Sequence, residues 1–250
     1  MKRLKKILRI KGKLKLLTGL HIGVGKDEVK IGGVDSQVIK NPLTGEPYIP
    51  GSSLKGKMRS LLELYYGVYR PDGQELNFEY YLKKKDTFDD ERKRAARNIL
   101  KLFGTSGADY KDFDKLGEDE KKEIERLAVS RLSFYDLELD EESRKKWENV
   151  LERRPEEKTE VKINRITGTT HGGALLTRER VPAGLSFDFT LILKIFEGDN
   201  EEEFIEIIKR GLALLEADSL GGSGSRGYGK VEITVKEPEE VKLIKEFGEE

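Results

Sequence analysis

A glycine-rich segment near the C-terminus has the composition of an anion-binding loop. Residues 222–227 match the dinucleotide-binding fingerprint letter for letter, and residues 224–230 have the spacing of a phosphate-binding P-loop. Both motifs require a helix to open directly after the loop, whereas Val231 begins a pattern typical of a strand, so we reject both. The glycines still allow close backbone approach to a ligand, and Arg226 and Lys230 add positive charge. The segment therefore indicates either a polyanion site or a flexible connection between a helix and a strand.

A second group of polar and basic residues follows a turn-rich stretch. Ser52 and Ser53 have the side chains of helix N-caps, and apolar residues then recur at helical spacing. Lys55, Lys57 and Arg59 lie in the first turns of this predicted helix, close to the end that favours anions. These residues are candidates for binding phosphate groups. The alternative is a solvated helix face, which is the usual place for such charges.

Asp35 and His21 belong to a polar, glycine-spaced loop of the kind that often carries chemistry. On sequence alone, Asp35 either braces its turn or takes part in a reaction, and His21 either caps the end of a strand or contacts a ligand. The chain has only two histidines and no cysteine, which excludes disulfides, thiolate zinc sites and cysteine nucleophiles. Three carboxylates lack the spacing of a two-metal site and are predicted to be surface charge: Glu123, Glu125 and Asp136.

The composition limits the class of protein without choosing a function. The 250-residue chain is long enough for one large domain with an insertion, and its formal net charge is zero. Residues 1–16 nevertheless carry eight Lys or Arg and no acid, and phosphate binding depends on such local fields. No apolar run approaches the ~20 residues of a membrane span, and the N-terminus lacks a signal-peptide pattern. We predict a cytoplasmic protein with no membrane partner.

Hydrophobic periodicity predicts the elements that position these residues. Apolar residues alternate with Arg9, Lys11, Lys13 and Lys15, which predicts a strand with one basic face. Further patterns predict a helix from residue 52, an insertion at 67–127, a strand within 129–139, a hairpin at about 158–183, a strand at 187–195, a helix at 204–215 and a strand at 231–235. This order predicts an α+β fold with a ferredoxin-like (RRM-like) β-α-β-β-α-β core.

The predicted hairpin has the composition of a wedge. Its flexible tip is predicted at residues 169–173, with the apolar residues 175–176 close by. It also carries Arg165, His171 and Arg178. Apolar side chains on a protruding element are typical of wedges that separate nucleic-acid bases. The alternative is ordinary surface decoration of a hairpin.

Several short stretches, taken in order along the chain, resemble one known family. They are His21-Ile-Gly23, Gly32-Gly-Val-Asp35, residues 48–59, Phe103-Gly104, residues 163–167 and residues 221–230. Together they resemble the RAMP superfamily of CRISPR RNA-binding proteins, and within it the backbone subunits of the type III-A Csm complex. The resemblance implies a ferredoxin-like palm at residues 1–66 and 128–250, an inserted lid at 67–127 and a thumb hairpin at about 158–183.

The resemblance also implies a function. Such subunits bind a guide (CRISPR) RNA, stack head to tail along it beside other Csm subunits, and cut complementary target RNA at regular intervals as metal-dependent endoribonucleases. It implies that Asp35 is the catalytic residue, either as a ligand of Mg²⁺ or another divalent cation or as the acceptor of the hydroxyl proton. It further implies that RNA is bound by His21, Ser52, Ser53, Lys55, Lys57, Arg59, Arg165, His171, Arg178, Arg226 and Lys230.

Two alternative functions remain open at this point. One is a catalytically inactive architectural subunit that binds RNA and uses Asp35 only to hold a turn. The other is a guide-processing RAMP endonuclease, which would act alone and use a histidine for proton transfer, with His21 as the best candidate. Assembly distinguishes a backbone subunit from a processing enzyme. A backbone subunit should form oligomers along RNA, whereas a processing enzyme should stay monomeric or dimeric.

Overall fold

The computed structural model describes residues 3–23, 36–105 and 115–243. The strands are β1 Leu4–Leu16, β2 Leu132–Phe134, β3 Glu138–Leu139, β4 Glu156–Ile163, β5 Thr170–Arg180, β6 Ser186–Phe196, β7 Val231–Val235 and β8 Glu239–Glu240. The α-helices are α1 Gly51–Tyr65, α2 Phe78–Lys84, α3 Asp90–Phe103, α4 Glu118–Leu127, α5 Glu141–Asn149 and α6 Glu201–Ala217. None of these helices is long and apolar enough to cross a membrane.

The core sheet has the ferredoxin-like strand order. Strands β2, β6, β1 and β7 lie side by side in that order, and each neighbouring pair is antiparallel. Helix α1 follows β1, and helix α6 connects β6 to β7, so the two halves of the core interleave. The short strands β3 and β8 extend the sheet along β6 and β1. The predicted α+β fold with a ferredoxin-like core is confirmed.

Side-chain alternation gives the core sheet one buried face and one open face. Leu8 and Ile10 of β1 are 4% and 2% exposed, and they pair in register with Leu193 and Leu191 of β6. Helices α1 and α6 pack against each other and contribute to the same apolar cluster as these strands. The lysines at the odd positions of β1 are exposed on the opposite face. The predicted strand with one basic face is therefore present.

The start of α1 packs closely against the segment that follows β2. Pro50 is the N-cap, and the N–H of Gly51 donates a hydrogen bond of 2.8 Å to Oδ1 of Asp136. A Cβ at Gly51 would lie 2.7 Å from the main-chain oxygen of Phe134, so a larger residue does not fit. The predicted N-caps at residues 52–53 instead occupy the first turn of the helix.

The insertion between α1 and β2 shares the hydrophobic core with the palm. Ala96, Ile99 and Leu100 of α3 are fully buried in the cluster that contains the sheet residues. The ring of Phe103 stacks on Phe134 of β2 with centroids 5.9 Å apart. The apolar stripe of α3 faces inward because its members recur at helical spacing. The boundaries predicted for the lid therefore cross one continuous core and do not separate two packing units.

Strands β4 and β5 pair as a two-stranded antiparallel hairpin, as predicted. The turn comprises residues 164–169, and Gly168 supports it with a positive φ of 69°. The predicted tip at residues 169–173 is wrong, because most of that stretch forms the beginning of β5. Ile166 lies in the true tip and is 95% exposed, so it replaces residues 175–176 as the apolar end of the hairpin.

Candidate nucleic-acid interface

His21 lies just beyond the core strand β1 and is almost fully buried. Its Nδ1 lies 2.6 Å from the main-chain oxygen of Glu179, and its Nε2 lies 3.0 Å from Oγ of Ser36. Because a carbonyl oxygen only accepts, Nδ1 carries a hydrogen and donates it to Glu179, while Nε2 shares a hydrogen bond with the serine hydroxyl. Both ring nitrogens are thus engaged within the protein. This geometry gives His21 the positioning role of the alternative in which it caps the end of a strand, and its contact with RNA stays a prediction.

Glu179 holds the same segment with two further groups. Its N–H donates to the main-chain oxygen of Ser36 at 2.9 Å. Its buried carboxylate accepts from the N–H of Val38 at 3.0 Å and lies 3.5 Å from Nζ of Lys40. We call the three residues His21, Ser36 and Glu179 the loop clamp. The loop clamp ties the end of β1 and strand β5 to one short stretch of chain.

The glycine-rich loop closes over the loop clamp. The N–H of Gly222 donates to the main-chain oxygen of His21 at 2.9 Å. Gly221 has a φ of 78°, and a Cβ there would lie 2.5 Å from the same oxygen, so this approach requires glycine. Asp35, the predicted catalytic residue, lies outside the described residues, and Ser36 is the residue that follows it in the chain. The loop clamp therefore anchors the chain at the residue next to Asp35.

Two of the predicted RNA-binding arginines connect the glycine-rich loop to the hairpin. Nη1 of Arg178 donates to Oγ of Ser223 at 2.6 Å, and Nη1 of Arg226 donates to Oε2 of Glu160 at 2.6 Å. Burial acts to raise the pKa of Glu160, but hydrogen bonds and the charges of these arginines outweigh it and hold the pKa below its usual range. Glu160 is therefore a carboxylate in a basic environment, where a phosphate would also be favourable.

The remaining predicted contacts at this end of the molecule differ from one another. Nζ of Lys230 donates to the main-chain oxygen of Glu216 at 2.7 Å, so part of its hydrogen-bonding capacity is used at the end of α6. Arg165 is exposed in the turn of the hairpin. His171 lies in β5, but its side chain is outside the described part of the structure. Arg165 and Lys230 are both exposed, and neither has a carboxylate within ion-pair distance among the described residues.

Arg59 is a structural residue and not a phosphate ligand. It is 5% exposed, and its guanidinium donates to the carboxylates of Glu63 and Glu75 at 2.7 and 2.9 Å. It also donates to the main-chain oxygens of Gly104, at 3.0 Å, and Leu76. These hydrogen bonds use four of the five N–H donors of the guanidinium. The prediction that Arg59 binds RNA is wrong, because its side chain turns inward and joins α1 to the insertion.

The other predicted contacts of α1 are closer to the surface. Nζ of Lys57 lies 2.6 Å from Asp218 at the end of α6. Lys55 is half-buried, and burial, followed by the charge of the neighbouring guanidinium, lowers its pKa. Ser52 is exposed and Ser53 is half-buried in the first turn of α1. Lys55, Ser52 and Ser53 thus lie together at the helix N-terminus, where anion binding is favoured.

The three carboxylates that lack the spacing of a two-metal site differ in their surroundings. Glu123 is buried and accepts two hydrogen bonds from Arg97, at 2.6 and 2.8 Å, so its prediction as surface charge is wrong. Asp136 caps α1 through Gly51, while Glu125 is exposed as predicted. Within the described ranges, no group of three or more His, Cys, Asp or Glu side chains is arranged to hold a metal ion.

The sequence interpretation missed Ser36, Glu160 and Glu179. Ser36 follows the aspartate that was singled out, and both glutamates are single acids close to arginines of the hairpin. A single carboxylate among cations on a strand predicts an ion pair or hydrogen bond within the protein. No local pattern, however, indicates that residue 179 meets residue 21, because that contact depends on the tertiary fold.

Comparisons with known proteins agree with this architecture. A family model described as the RAMP superfamily matches residues 13–232. The protein named CRISPR system Cms endoribonuclease Csm3 from Methanothermobacter thermautotrophicus is 37% identical over 90% of this chain and 82% of its own length. The protein of the same name from Methanocaldococcus jannaschii is 39% identical over 94% of this chain and 79% of its own. The crystal structure of Methanopyrus kandleri Csm3 matches with a TM-score of 0.59 and 25% identity, over 95% of this chain and 78% of that one. The chain belongs to the RAMP superfamily and, within it, to the Csm3 family.

Proposed function

We propose that this chain is the guide-RNA-binding backbone subunit of a type III-A CRISPR complex and cleaves target RNA that pairs with the guide. The similar proteins from two archaea carry the name endoribonuclease, and the matched region includes the loop clamp and the glycine-rich loop. In this proposal, copies stack head to tail along one guide RNA beside other Csm subunits in the cytoplasm. Cleavage is then a property of the assembled complex.

The loop clamp is the observation that carries this proposal. It joins the end of β1, the segment that follows Asp35 and strand β5 of the hairpin by short hydrogen bonds between buried groups. A catalytic group needs a fixed position, because a misplacement of about 1 Å can cost roughly 100-fold in rate. The loop clamp fixes Ser36, the residue that follows Asp35 in the chain, and this anchor supports the proposal that Asp35 acts in catalysis.

The chemistry we propose is an intramolecular attack within the target strand. A nucleotide turned out of the guide–target duplex aligns its 2′-OH with the neighbouring phosphorus, and positioning lowers the barrier. The new P–O bond forms a cyclic phosphate, the bond to the 5′ oxygen breaks, and the next fragment leaves with a 5′-hydroxyl. Asp35 either accepts the proton of the 2′-OH or anchors a divalent cation.

A divalent cation at this site would take only one ligand from the protein. The described residues offer no preformed cluster of three ligands, which suits an ion held by one carboxylate, waters and RNA phosphate oxygens. Asp35 would provide that carboxylate. Such an ion, Mg²⁺ or another divalent cation, would neutralise negative charge that develops on the phosphate.

The hairpin provides the element that would turn the nucleotide out. Its tip presents Ile166, which is 95% exposed, next to the exposed cation Arg165. An apolar side chain inserted between bases unstacks them, and an adjacent cation contacts the backbone phosphate. We therefore propose Ile166 as the wedge residue of the thumb.

The loop clamp argues against the guide-processing alternative. Nδ1 of His21 donates to a carbonyl oxygen and Nε2 already shares a hydrogen bond with Ser36. A general base needs a free nitrogen within reach of the proton it removes. The ring of His21 is only 8% exposed and its Nε2 is occupied by Ser36, so an RNA hydroxyl would have to displace that serine to reach it.

The decisive experiment compares Asp35→Ala with a charge-matched change in the same loop, Asp27→Ala, in the reconstituted guide-loaded complex. Labelled complementary RNA is added with Mg²⁺ or with EDTA, and binding and cut sites are measured together. We expect Asp27→Ala and the wild type to give evenly spaced, metal-dependent cuts, and Asp35→Ala to bind normally without cutting. Cleavage by Asp35→Ala at the wild-type rate, or by none of the three proteins, contradicts the proposal and favours a scaffold.

A further inference from the structure

The open face of the core sheet carries a line of cations that includes none of the residues predicted to bind the guide or the target RNA. Arg9, Lys11, Lys13 and Lys15 occupy alternate positions of β1 and point away from the face that carries the apolar core. The three lysines are exposed. In the described part of the chain, the core helices α1 and α6 contribute to the apolar cluster on the other side of the sheet.

The neighbouring strands add polar groups and further charge to the same face. Thr190 on β6 is the register partner of Lys11, and Thr234 on β7 is the register partner of Lys13. The N–H of Lys236 donates to the main-chain oxygen of Lys11 at 2.8 Å, which places a third lysine beside them. Together these residues and Asp188 line a shallow depression of about 650 Å³.

Most of these cations have no internal partner. Lys13 is paired with Asp140 and lies 3.9 Å from Asp188, so its charge is partly neutralised. Lys11, Lys15 and Lys236 form no ion pair within the described part of the chain. Glu232 and Glu239 lie opposite Lys15 and Arg9 at the margins of the face. The excess positive charge is therefore concentrated around Lys11 and the two threonines.

The spacing of these groups fits an extended chain of phosphates. Alternate residues of a strand are about 6.6 Å apart, which is close to the separation of successive phosphates in an extended single strand. Threonine hydroxyls between the lysines can donate hydrogen bonds to phosphate oxygens. The strand residues of this face include no aromatic ring on which a base could stack. Contacts to the backbone alone carry no sequence information.

We propose that the open face of the core sheet binds the phosphate backbone of a single-stranded nucleic acid, without sequence preference and separately from the guide. Its most concentrated part is the depression around Lys11, Lys13 and Lys236. A folded acidic protein is a poorer match, because stable protein interfaces have an apolar core and the apolar side chains that β1, β6 and β7 present on this face are the half-buried Ile7 and Ile192. The proposal does not depend on cleavage by Asp35.

The test uses the assembled, guide-loaded complex, in which the guide site is already filled. Wild type is compared with Lys11→Glu/Lys15→Glu and with a control of equal charge change on α4, Lys121→Glu/Lys122→Glu. The probe is a fluorescent single-stranded oligouridylate that does not pair with the guide, and its affinity is followed by anisotropy at several salt concentrations. Target cleavage is recorded in parallel to show that the complexes are intact.

We expect the sheet variant to bind the probe at least tenfold more weakly at low salt and the control to bind it like wild type. The slope of log affinity against log salt should fall by about 1.4, since each lost phosphate contact removes ~0.7 for a single strand. Lys11→Gln/Lys15→Gln should give a smaller loss in the same direction. Equal affinity and slope in the sheet variant and the wild type, or an equal loss in the control, overturns the proposal.

Discussion

Nδ1 of His21 lies 2.6 Å from the main-chain oxygen of Glu179, and this contact joins two residues 158 positions apart in the chain. It connects the end of the core strand β1 to the hairpin strand β5 near the base of the thumb. The carboxylate of Glu179 then holds Val38, three residues after Asp35. The position of the hairpin strand and that of residues 36–38 are thus coupled through buried hydrogen bonds.

The first prediction concerns this coupling. Glu179→Ala removes the buried acceptor of the Val38 N–H and so loosens the anchor of residues 36–38. We expect the rate of target cleavage to fall about tenfold, because a small displacement of a catalytic group is costly and ~1 Å can cost roughly 100-fold. Target binding should change less than about twofold. Glu179→Gln keeps an acceptor oxygen and should retain most of the activity. Single-turnover cleavage and filter binding on the same complexes give both values.

The activity of Glu179→Gln shows whether Glu179 acts by holding Val38 in place or through its negative charge. If Glu179→Gln is as impaired as Glu179→Ala, then the charge of the carboxylate is what matters, through Lys40 or through RNA. If neither variant is impaired, the loop clamp has no part in catalysis.

The second prediction concerns the stability of the join between α1 and the insertion. Arg59→Ala should lower the free energy of unfolding by about 3–5 kcal/mol, because it leaves the buried carboxylate of Glu63 without its partner. Lys57→Ala is the matched control, since the exposed pair of Lys57 with Asp218 should contribute no more than about 1 kcal/mol. Urea unfolding measures both. A stable Arg59→Ala protein that binds RNA poorly would return Arg59 to the set of phosphate ligands.

These residues show how far sequence reasoning reaches in this fold. The alternation in β1 and β6 and the apolar spacing of α1 and α6 predict the ferredoxin-like core, because periodicity is a local property. The inward turn of Arg59 is not local, since three of its partners, Glu75, Leu76 and Gly104, come from the insertion. The tip of the hairpin was misplaced for a similar reason, because residues 169–173 have the glycine content of a turn but pair within β5.

The third prediction concerns Glu160, whose carboxylate forms an ion pair with the guanidinium of Arg226. Glu160→Gln removes the negative charge that competes with phosphate for this guanidinium, so the affinity of the isolated subunit for single-stranded RNA should rise several-fold at low salt. Glu157→Gln on the same strand is the control, because Glu157 is exposed and makes no ion pair among the described residues. Anisotropy titrations compare the two. Equal effects in both variants would mean that only net charge matters.

The fourth prediction tests the wedge. Ile166→Ser should leave the free energy of unfolding within ~0.5 kcal/mol, because the side chain is almost fully exposed. Target cleavage in the complex should fall, since a polar tip unstacks bases less well. Leu43→Ser is the control, as Leu43 is 93% exposed away from the hairpin. Cleavage that is unchanged in Ile166→Ser assigns the wedge to another residue.

The fifth prediction concerns acid sensitivity. Asp140 caps α5 by accepting from the N–H of Ser143 at 2.8 Å and is paired with Lys13. Burial acts to raise the pKa of Asp140, but hydrogen bonds from Lys13 and Ser143 outweigh it and lower the pKa below its ordinary value. The folded state therefore keeps this carboxylate ionised where the unfolded chain would be protonated. Its contribution to stability is fully present above the unfolded pKa of ~3.9 and is lost as the pH falls through the lower folded value.

Asp140→Asn isolates this contribution, because asparagine still caps a helix but carries no charge for Lys13. The wild type should be more stable than the variant at pH 7, and the difference in the free energy of unfolding should shrink as the pH falls below ~3.9. Urea unfolding of both proteins at several pH values measures that difference, and the other titrating groups cancel in it. A difference that stays constant from pH 7 to pH 3 would mean that the side-chain volume or the cap, and not the ionised carboxylate, stabilises this corner of the sheet.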